Sequence, residues 1–506
     1  MRLWIGVTLP LLPLEIFQPQ WCEDGPHAVL EQERVLVMNG AAARLGVRAG
    51  LRRGGAQALA PETVLHERDP VREQQALQAL AFCLLQYTPE VAFTGAAQLV
   101  MDVTASLRAF GGRLALCRRV RAGLRLLGFT ARLGMAPTAL GARLLADAPP
   151  PGAGQVGGGQ VSARRRVVRL ERLTAVLDAL PVGLLAAARP HHDWLQGIGC
   201  STLGELRRLP RAGLQRRSSK LLLDELDRAY GQSPELHDWV AVPPVFAAYA
   251  ELPYRTEHSD AILLSANGLL LQMIGWLVAQ QLAVTRLQLS MEHERGRTAV
   301  PPTLLEIVLS EPAWQEAHLL RLLKERLERM ALVAPVIALR LHAVQLQPLA
   351  PPTASLFPEP GGTPADYHRL LELLVARLGE DAVLTPAPLA DHRPEICNRW
   401  QPATRAPAAR ERAGAGLAGT DSSLKTERPF WLLAQPLALL VREHRPFYGS
   451  ALRLVSAPER IESGWWDGNF VARDYFIAIG AESACYWVYR ERVGDQVRWF
   501  LHGLFA

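Results

Sequence analysis

Thr94 to Gly112 reads TGAAQLVMDVTASLRAFGG, and the alternation inside it decides how the rest of the chain is understood. From Gln98 to Thr104, Leu99, Met101 and Val103 fall on one face and Gln98, Val100 and Asp102 on the other, the period of a half-buried strand. Upstream, Leu3 to Val7 is a second short apolar run, ended at Pro10. Downstream, Leu107 to Leu127 has the apolar spacing of a helix with an Arg-rich opposite face. Thr130 to Ala136 then reads as a strand and Thr138 to Ala146 as a further helix. Strands alternating with helices on one sheet predict an α+β layout.

These stretches resemble the motifs of Y-family (translesion) DNA polymerases. With the shared D-V-T of the palm motif S-I-D-E-A-[FY]-L-D-V-T on Asp102, Val103 and Thr104, the catalytic Asp-Glu pair falls on Ala97 and Gln98. Matching Glu15 to the last residue of D-x-D-A-F-F-A-S-V-E puts Gly6 and Thr8 where two aspartates stand. Val35 to Leu51 resembles the fingers motif S-Y-E-A-R-K-F-G-V-R-S-G-M. Gly46, Val47, Arg48 and Gly50 set the register, leaving Gly40 and Ala43 in place of the Tyr and Arg that hold the triphosphate. In LGFTARLGMAPTALGARLLA, which resembles T-A-S-I-G-I-A-P-N-K-L-L-A-K, Ala139 and Arg143 replace two lysines. Phosphoryl transfer of this kind needs two divalent cations about 3.5 to 4 Å apart, held by clustered carboxylates, which a methyl group or a neutral amide does not replace. The resemblance therefore implies a multidomain α+β right hand without metal, cofactor, nucleotide site or catalysis.

Along the chain it implies a palm (1–10 and 68–165), fingers (11–67), a helical thumb (166–237) and a little finger (238–347). A Pro-rich linker (348–365), a helix with a flexible hinge (366–427) and a β-rich interaction domain (428–506) follow. Arg166 to Leu170 is expected as a strand. In the thumb, L-x-G-I-G at Leu195 to Gly199 resembles a helix-hairpin-helix whose backbone N–H groups hold a DNA phosphate. Gly197, Gly199, Arg207, Arg208 and Arg211 are the expected DNA contacts. In the linker, Thr353, Ala354, Ser355, Leu356 and Phe357 resemble the clamp-binding pentapeptide Q-L-[SD]-L-F. DHRPE at Asp391 to Glu395 reads as a polar turn without evident chemistry. SAPERIESGWWDG, RDY and LHGLFA resemble the inactive Y-family protein of the bacterial DNA-damage mutasome, making Trp465, Trp466, Arg473, Asp474, Tyr475, His502 and Phe505 the expected partner contacts. What that family implies is a bridge on DNA between the sliding clamp (β subunit), the RecA-like accessory protein ImuA and a DnaE-type error-prone polymerase.

Composition narrows the alternatives. Lys plus Arg number 55 against 49 Asp plus Glu, a net +6 that permits nucleic-acid binding without requiring it. Six scattered cysteines without a CxxC pair argue against a zinc site or disulfide framework and for a reducing compartment. Pro10, Pro13 and Glu15 interrupt the apolar start, and no uninterrupted apolar run approaches the roughly 20 residues of a membrane span. A cytoplasmic protein, on the nucleoid when bound to DNA and without a membrane partner, is expected. GxxxxGK[ST], GxSxG and HExxH are absent, His191, His192 and Asp193 read as surface, and Asp102 as structural. Two rival readings remain open. One is an active translesion polymerase with misaligned carboxylates, for which Glu23, Asp24 or Glu90 are the nominees; the other is a stand-alone DNA-binding repair factor.

Overall fold

The structure, a computed structural model, describes every residue except 1, 23–24, 149–164, 295–299, 350–363, 404–427, 430, 482, 494–496 and 506, and the side chains of 364 and 365. It forms two units, Met1–Arg369 and Leu370–Ala506.

The first unit opens with β1 (Trp4–Thr8) and the short α1 (Leu12–Glu15). A small subdomain follows, made of β2 (His27–Glu31), β3 (Arg34–Met38), α2 (Gly40–Arg44), α3 (Arg53–Leu59) and β4 (Val64–Glu67), with sheet order β3-β2-β4. The chain then returns through α4 (Pro70–Leu85), β5 (Val91–Gly95), β6 (Gln98–Asp102), α5 (Arg113–Leu126), β7 (Arg132–Ala136) and α6 (Ala139–Asp147). The central sheet of these elements is antiparallel in the order β5-β6-β1-β7.

β6 is not half-buried as its alternation predicted. Leu99 and Met101 pack with Leu80, Leu84 and Val120 of α4 and α5, while Val100 packs with Trp4, Ala142 and Leu145 on the other side. Helices cover both faces, so alternation of polarity understates the burial. α5 begins six residues later than expected, because Gly111 (φ +73°) and Gly112 (φ +90°) are left-handed and break the helical path. The strand expected at Arg166 to Leu170 does not form: Arg166 makes one bridge to Met135, and Leu170 already opens a helix.

That helix is α7 (Leu170–Asp178). Two 3-10 turns (Val182–Leu184, Ala186–His191), α8 (His192–Gly197), α9 (Leu203–Arg208), α10 (Arg211–Arg217) and α11 (Lys220–Ala229) follow. Leu173, Leu203, Leu222 and Leu226 join α6 in one core, which makes this helical region an extension of the central sheet's far side.

The unit closes with β8 (Ala247–Thr256), α12 (Ser259–Gln280), β9 (Leu282–His293), β10 (Thr303–Ala313), α13 (Glu316–Arg329) and β11 (Val336–Pro348), in the antiparallel order β10-β9-β11-β8. α12 is long and apolar enough to cross a membrane by length and composition, but Ser265, Asn267 and Gln272 interrupt its apolar run and it is a mostly buried core helix. It lies so close to α4 that a Cβ on Gly275 would stand 1.8 Å from the Phe82 carbonyl oxygen.

α14 (Pro364–Leu378) leads into the second unit. There β12 (Leu384–Pro388) and β13 (Asn398–Pro402) form a hairpin inside the stretch expected to be only helix and hinge. β14 (Trp431–Arg442), β15 (Arg445–Tyr448), β16 (Ser450–Ala451), β17 (Arg453–Leu454), β18 (Glu459–Ser463), β19 (Val471–Ile479), β20 (Cys485–Glu491) and β21 (Arg498–Leu504) build the β-rich remainder. Their order is β16-β15-β14-β21-β20-β19-β17, with β18 beside β19.

Candidate functional site

The four positions read as lost metal ligands converge, because β1 and β6 are neighbours. Thr8 pairs with Gln98 and Gly6 with Val100, and Leu9 N–H donates to the Ala97 carbonyl at 3.0 Å. Gly6 also pairs with Gly134 of β7, and the two glycines form a notch that receives α6. A Cβ on Gly6 would stand 2.6 Å from the backbone of Ala142 and Arg143, and one on Gly134 2.1 Å from the Ala142 oxygen. Close helix packing requires glycine at both positions.

One carboxylate does lie here, and motif matching missed it. Asp147, at the end of α6, accepts from Thr8 Oγ1 at 2.6 Å and from Gln98 Nε2 at 2.7 Å. The signal available in the sequence was its i,i+4 spacing from Arg143, which places both on one helix face. Arg143 donates to Gln98 Oε1 (3.3 Å) and to Glu225 Oε1 of α11 (3.1 Å), and Glu225 Oε2 accepts from Ala187 N–H (2.8 Å). This chain of hydrogen bonds does not fit a two-metal centre: one position has no room for a side chain, two are neutral donors, and Asp147 has both oxygens engaged. Among the described residues no group of three or more His, Cys, Asp and Glu is placed to hold a metal ion. Glu90 is no substitute, since its carbonyl accepts from Asp102 N–H at the opposite end of β6; Glu23 and Asp24 lie outside the described residues. Asp102 itself accepts from the N–H and Oγ1 of Thr104, which ends the strand.

Burial, partly offset by Thr8, Arg143 and Gln98, holds the Asp147 carboxyl above the usual aspartate range. Such a group contributes stability that is full below the ordinary aspartate pKa of about 3.9 and is lost as pH rises through the folded value. Asp147→Asn imitates the protonated form. Its melting temperature relative to the parent is therefore expected to climb between pH 4 and 7, and thermal scans showing a flat difference would refute the assignment.

Above this network opens a cleft of about 510 Å³ lined by Pro10, Pro13, Leu36, Val37, Arg68, Arg143 and Arg189, with no acidic side chain in its wall among the described residues. Gly40 and Ala43 do not reach into it. Asn39 caps α2 through Ala42 N–H, and Ala43 faces solvent. Ala139 N–H and Leu140 N–H, at the start of α6, donate to Glu235.

The turn between α8 and α9 is closed upon itself. Gly197 ends α8, and the N–H groups of Ile198, Gly199 and Cys200 donate to Trp194, Gln196 and Leu195 carbonyls. Ser201 and Thr202 N–H donate to Glu205 Oε2 at 2.8 and 2.9 Å, which pulls its carboxyl down to about 2. These donors, expected to face a phosphate, are thus satisfied internally. Arg207 forks onto Asp178 and Arg211 onto Asp227, leaving Arg208 as the one of the three without an ion pair among the described residues. On the open face of the β8–β11 sheet Arg286 pairs with Glu306 and Arg340 with Glu292, so that face is charge-compensated.

Thr353 to Phe357 lie outside the described residues. In the second unit the expected partner contacts divide. Trp465 and Trp466 are 70% and 53% exposed, whereas Asp474, Tyr475 and His502 are each 1% exposed and cannot touch a partner directly. Tyr475 stacks on Trp487 at 4.0 Å and shares a 2.8 Å hydrogen bond with His502 Nδ1. Arg473, pairing with Glu395 over the Tyr489 ring, is largely covered, and Phe505 packs on the same core. DHRPE is not an inert turn. Arg393 is buried between Asp391 and Asp467 and donates to the Asn469 carbonyl, pinning the loop that displays the two tryptophans.

Residues 14–147 match the impB/mucB/samB family. Protein ImuB from two strains of Caulobacter vibrioides, NA1000 / CB15N and ATCC 19089 / CB 15, is 26% identical over 487 residues, covering 91% of this chain and all of the relative. Among solved structures, an insertion ternary complex of Dbh DNA polymerase (17% identity) and DinB from Sulfolobus solfataricus (16%) each align with 67% of this chain and 98% of theirs, at a TM-score of 0.37. The chain is thus similar over nearly its whole length to Protein ImuB, carries a segment that matches the impB/mucB/samB family, and ends in a β-rich region.

Proposed function

We propose that the chain is a non-catalytic Y-family polymerase homologue acting as a scaffold in DNA damage tolerance, that is, in translesion synthesis and SOS-induced mutagenesis. It would hold the sliding clamp, ImuA and an error-prone DnaE-type polymerase together on DNA. The observation that carries this reading is the seat of α6 on Gly6 and Gly134, which leaves no space for a carboxylate side chain at Gly6. The Asp147 carboxylate has both oxygens engaged by Thr8 and Gln98, and Glu225 is held by Arg143. The domain assignment read from the sequence is part of the proposal, as is DNA contact by the first unit. Residues 1–369 carry 39 Lys and Arg against 33 Asp and Glu, so the whole of the excess charge lies there.

Primer extension with Mg²⁺ and with Mn²⁺ tests the non-catalytic half, and no template-dependent incorporation is expected. Co-purification from damaged cells tests the scaffold half: a DnaE-type polymerase and ImuA are expected, and their absence would favour a stand-alone repair factor. Leu356→Ala with Phe357→Ala is expected to leave the melting temperature unchanged while abolishing a micromolar clamp interaction, since each apolar anchor contributes about 1.5 to 3 kcal/mol. Calorimetric titration of the double variant against the clamp decides it, and binding equal to the parent's would remove the clamp from the partner set.

A further inference from the structure

Asp474 is buried at the middle of β19 and is met by three guanidinium groups. Arg460 Nε of β18 lies 2.9 Å from one carboxylate oxygen, and Arg490 Nη2 and Arg492 Nη1 lie 2.9 and 3.2 Å from the other. The carboxylate is covered while the arginine side chains keep 53, 40 and 41% of their surface exposed. One buried negative charge thus orders three positive ones, and with Glu462 also near Arg460 the cluster keeps a net positive charge. Ordering matters because a guanidinium held in place loses less rotamer freedom when it binds an anion. Arg460 and Asp474 sit opposite each other in the β18–β19 hairpin, and the loop closing that hairpin presents Trp465 and Trp466. Arginine and tryptophan are the side chains that most often dominate protein interfaces.

We infer that Arg460, Arg490 and Arg492, with the Trp465–Trp466 loop, dock an acidic segment of a protein partner that carries an apolar anchor. This rests on the reading of the second unit as the partner-binding part. Charge separates a peptide from a nucleic acid strand. Residues 370–506 hold 16 Lys and Arg against 16 Asp and Glu, so there is no general field for a polyanion. Beside the tryptophans, Asp391 and Asp467 outnumber Arg393, which would repel a phosphate backbone passing the loop. A peptide can place carboxylates on the arginines and an uncharged side chain on the tryptophans.

The test titrates the full chain with a short peptide of Asp and Glu around one Phe, with its Asn and Gln counterpart, and with a single-stranded oligonucleotide, followed by fluorescence anisotropy. The acidic peptide is expected to bind, more weakly at high salt, and at least about ten-fold better than the neutral one. Arg490→Gln, Arg492→Gln and Trp465→Ala are each expected to weaken it about three-fold or more. Each Arg→Gln variant leaves Asp474 with two guanidiniums, and thermal melts verify that the fold is kept. Should one variant unfold, the other two still decide. Equal binding of the neutral peptide, indifference to these substitutions, or loss of oligonucleotide binding instead of peptide binding would overturn the inference. The titration involves neither primer extension nor the proposed partners, so failure of the scaffold reading and failure of this one are distinguishable.

Discussion

Gly6→Asp, which puts a carboxylate on β1 where the family motif has one, is expected to destabilise the chain by about 3 to 5 kcal/mol and to produce no primer extension. The added Cβ alone would meet the Ala142 and Arg143 backbone at 2.6 Å, so α6 must lift from the sheet. Overpacking of that kind costs about 1 to 3 kcal/mol, and Gly6→Ala isolates it. The remaining cost of the aspartate is a second buried negative charge near Asp147, beside an Arg143 guanidinium that is already paired with Glu225. Chemical unfolding of Gly6→Asp beside Gly6→Ala measures both terms. A Gly6→Asp protein that is as stable as the parent, and gains incorporation when combined with Ala97→Asp and Gln98→Glu, would sink the account of α6 as the element that closes the site.

The Arg143–Glu225 pair carries the second large effect. Both side chains are about nine-tenths buried and join α6 to α11. Arg143→Ala leaves Glu225 with only the Ala187 N–H, and Glu225→Ala leaves a guanidinium whose Nε already lacks a partner. Each single substitution is expected to cost about 3 to 5 kcal/mol, because it strands a charge in low dielectric. The double substitution Arg143→Ala with Glu225→Ala should cost less than the sum of the two, since it leaves neither charge stranded. Unfolding free energies of the four proteins close the cycle, and simple additivity would show that the pair is not coupled.

Much of this was legible in the sequence because it is local. Alternation and motif spacing place β1, β6, β7 and α6 within a residue or two. They also put Gly6, Thr8, Ala97 and Gln98 on two strands that turn out to be neighbours. The two tryptophans stand out as exposed for the same reason, lying in a Gly-flanked turn. Where local rules failed, the deciding contact spans a long stretch of chain. Asp147 acquires its role from Thr8, 139 residues away, and from Gln98, 49 residues away. Asp474 and Tyr475 read as surface in R-D-Y, but β18 and β20 close over them; Arg393 reads as a turn residue, but Asp467 of a distant hairpin buries it. The sequence by itself therefore determined the order of strands and helices around β1 and β6 and the identity of the residues at Gly6, Thr8, Ala97 and Gln98. Only the tertiary structure decided that the space beside Gly6 is filled by α6, and which C-terminal side chains are core and which are surface. Burial and pairing of charges depend on what packs from the other side of a sheet, and periodicity along one strand does not encode that.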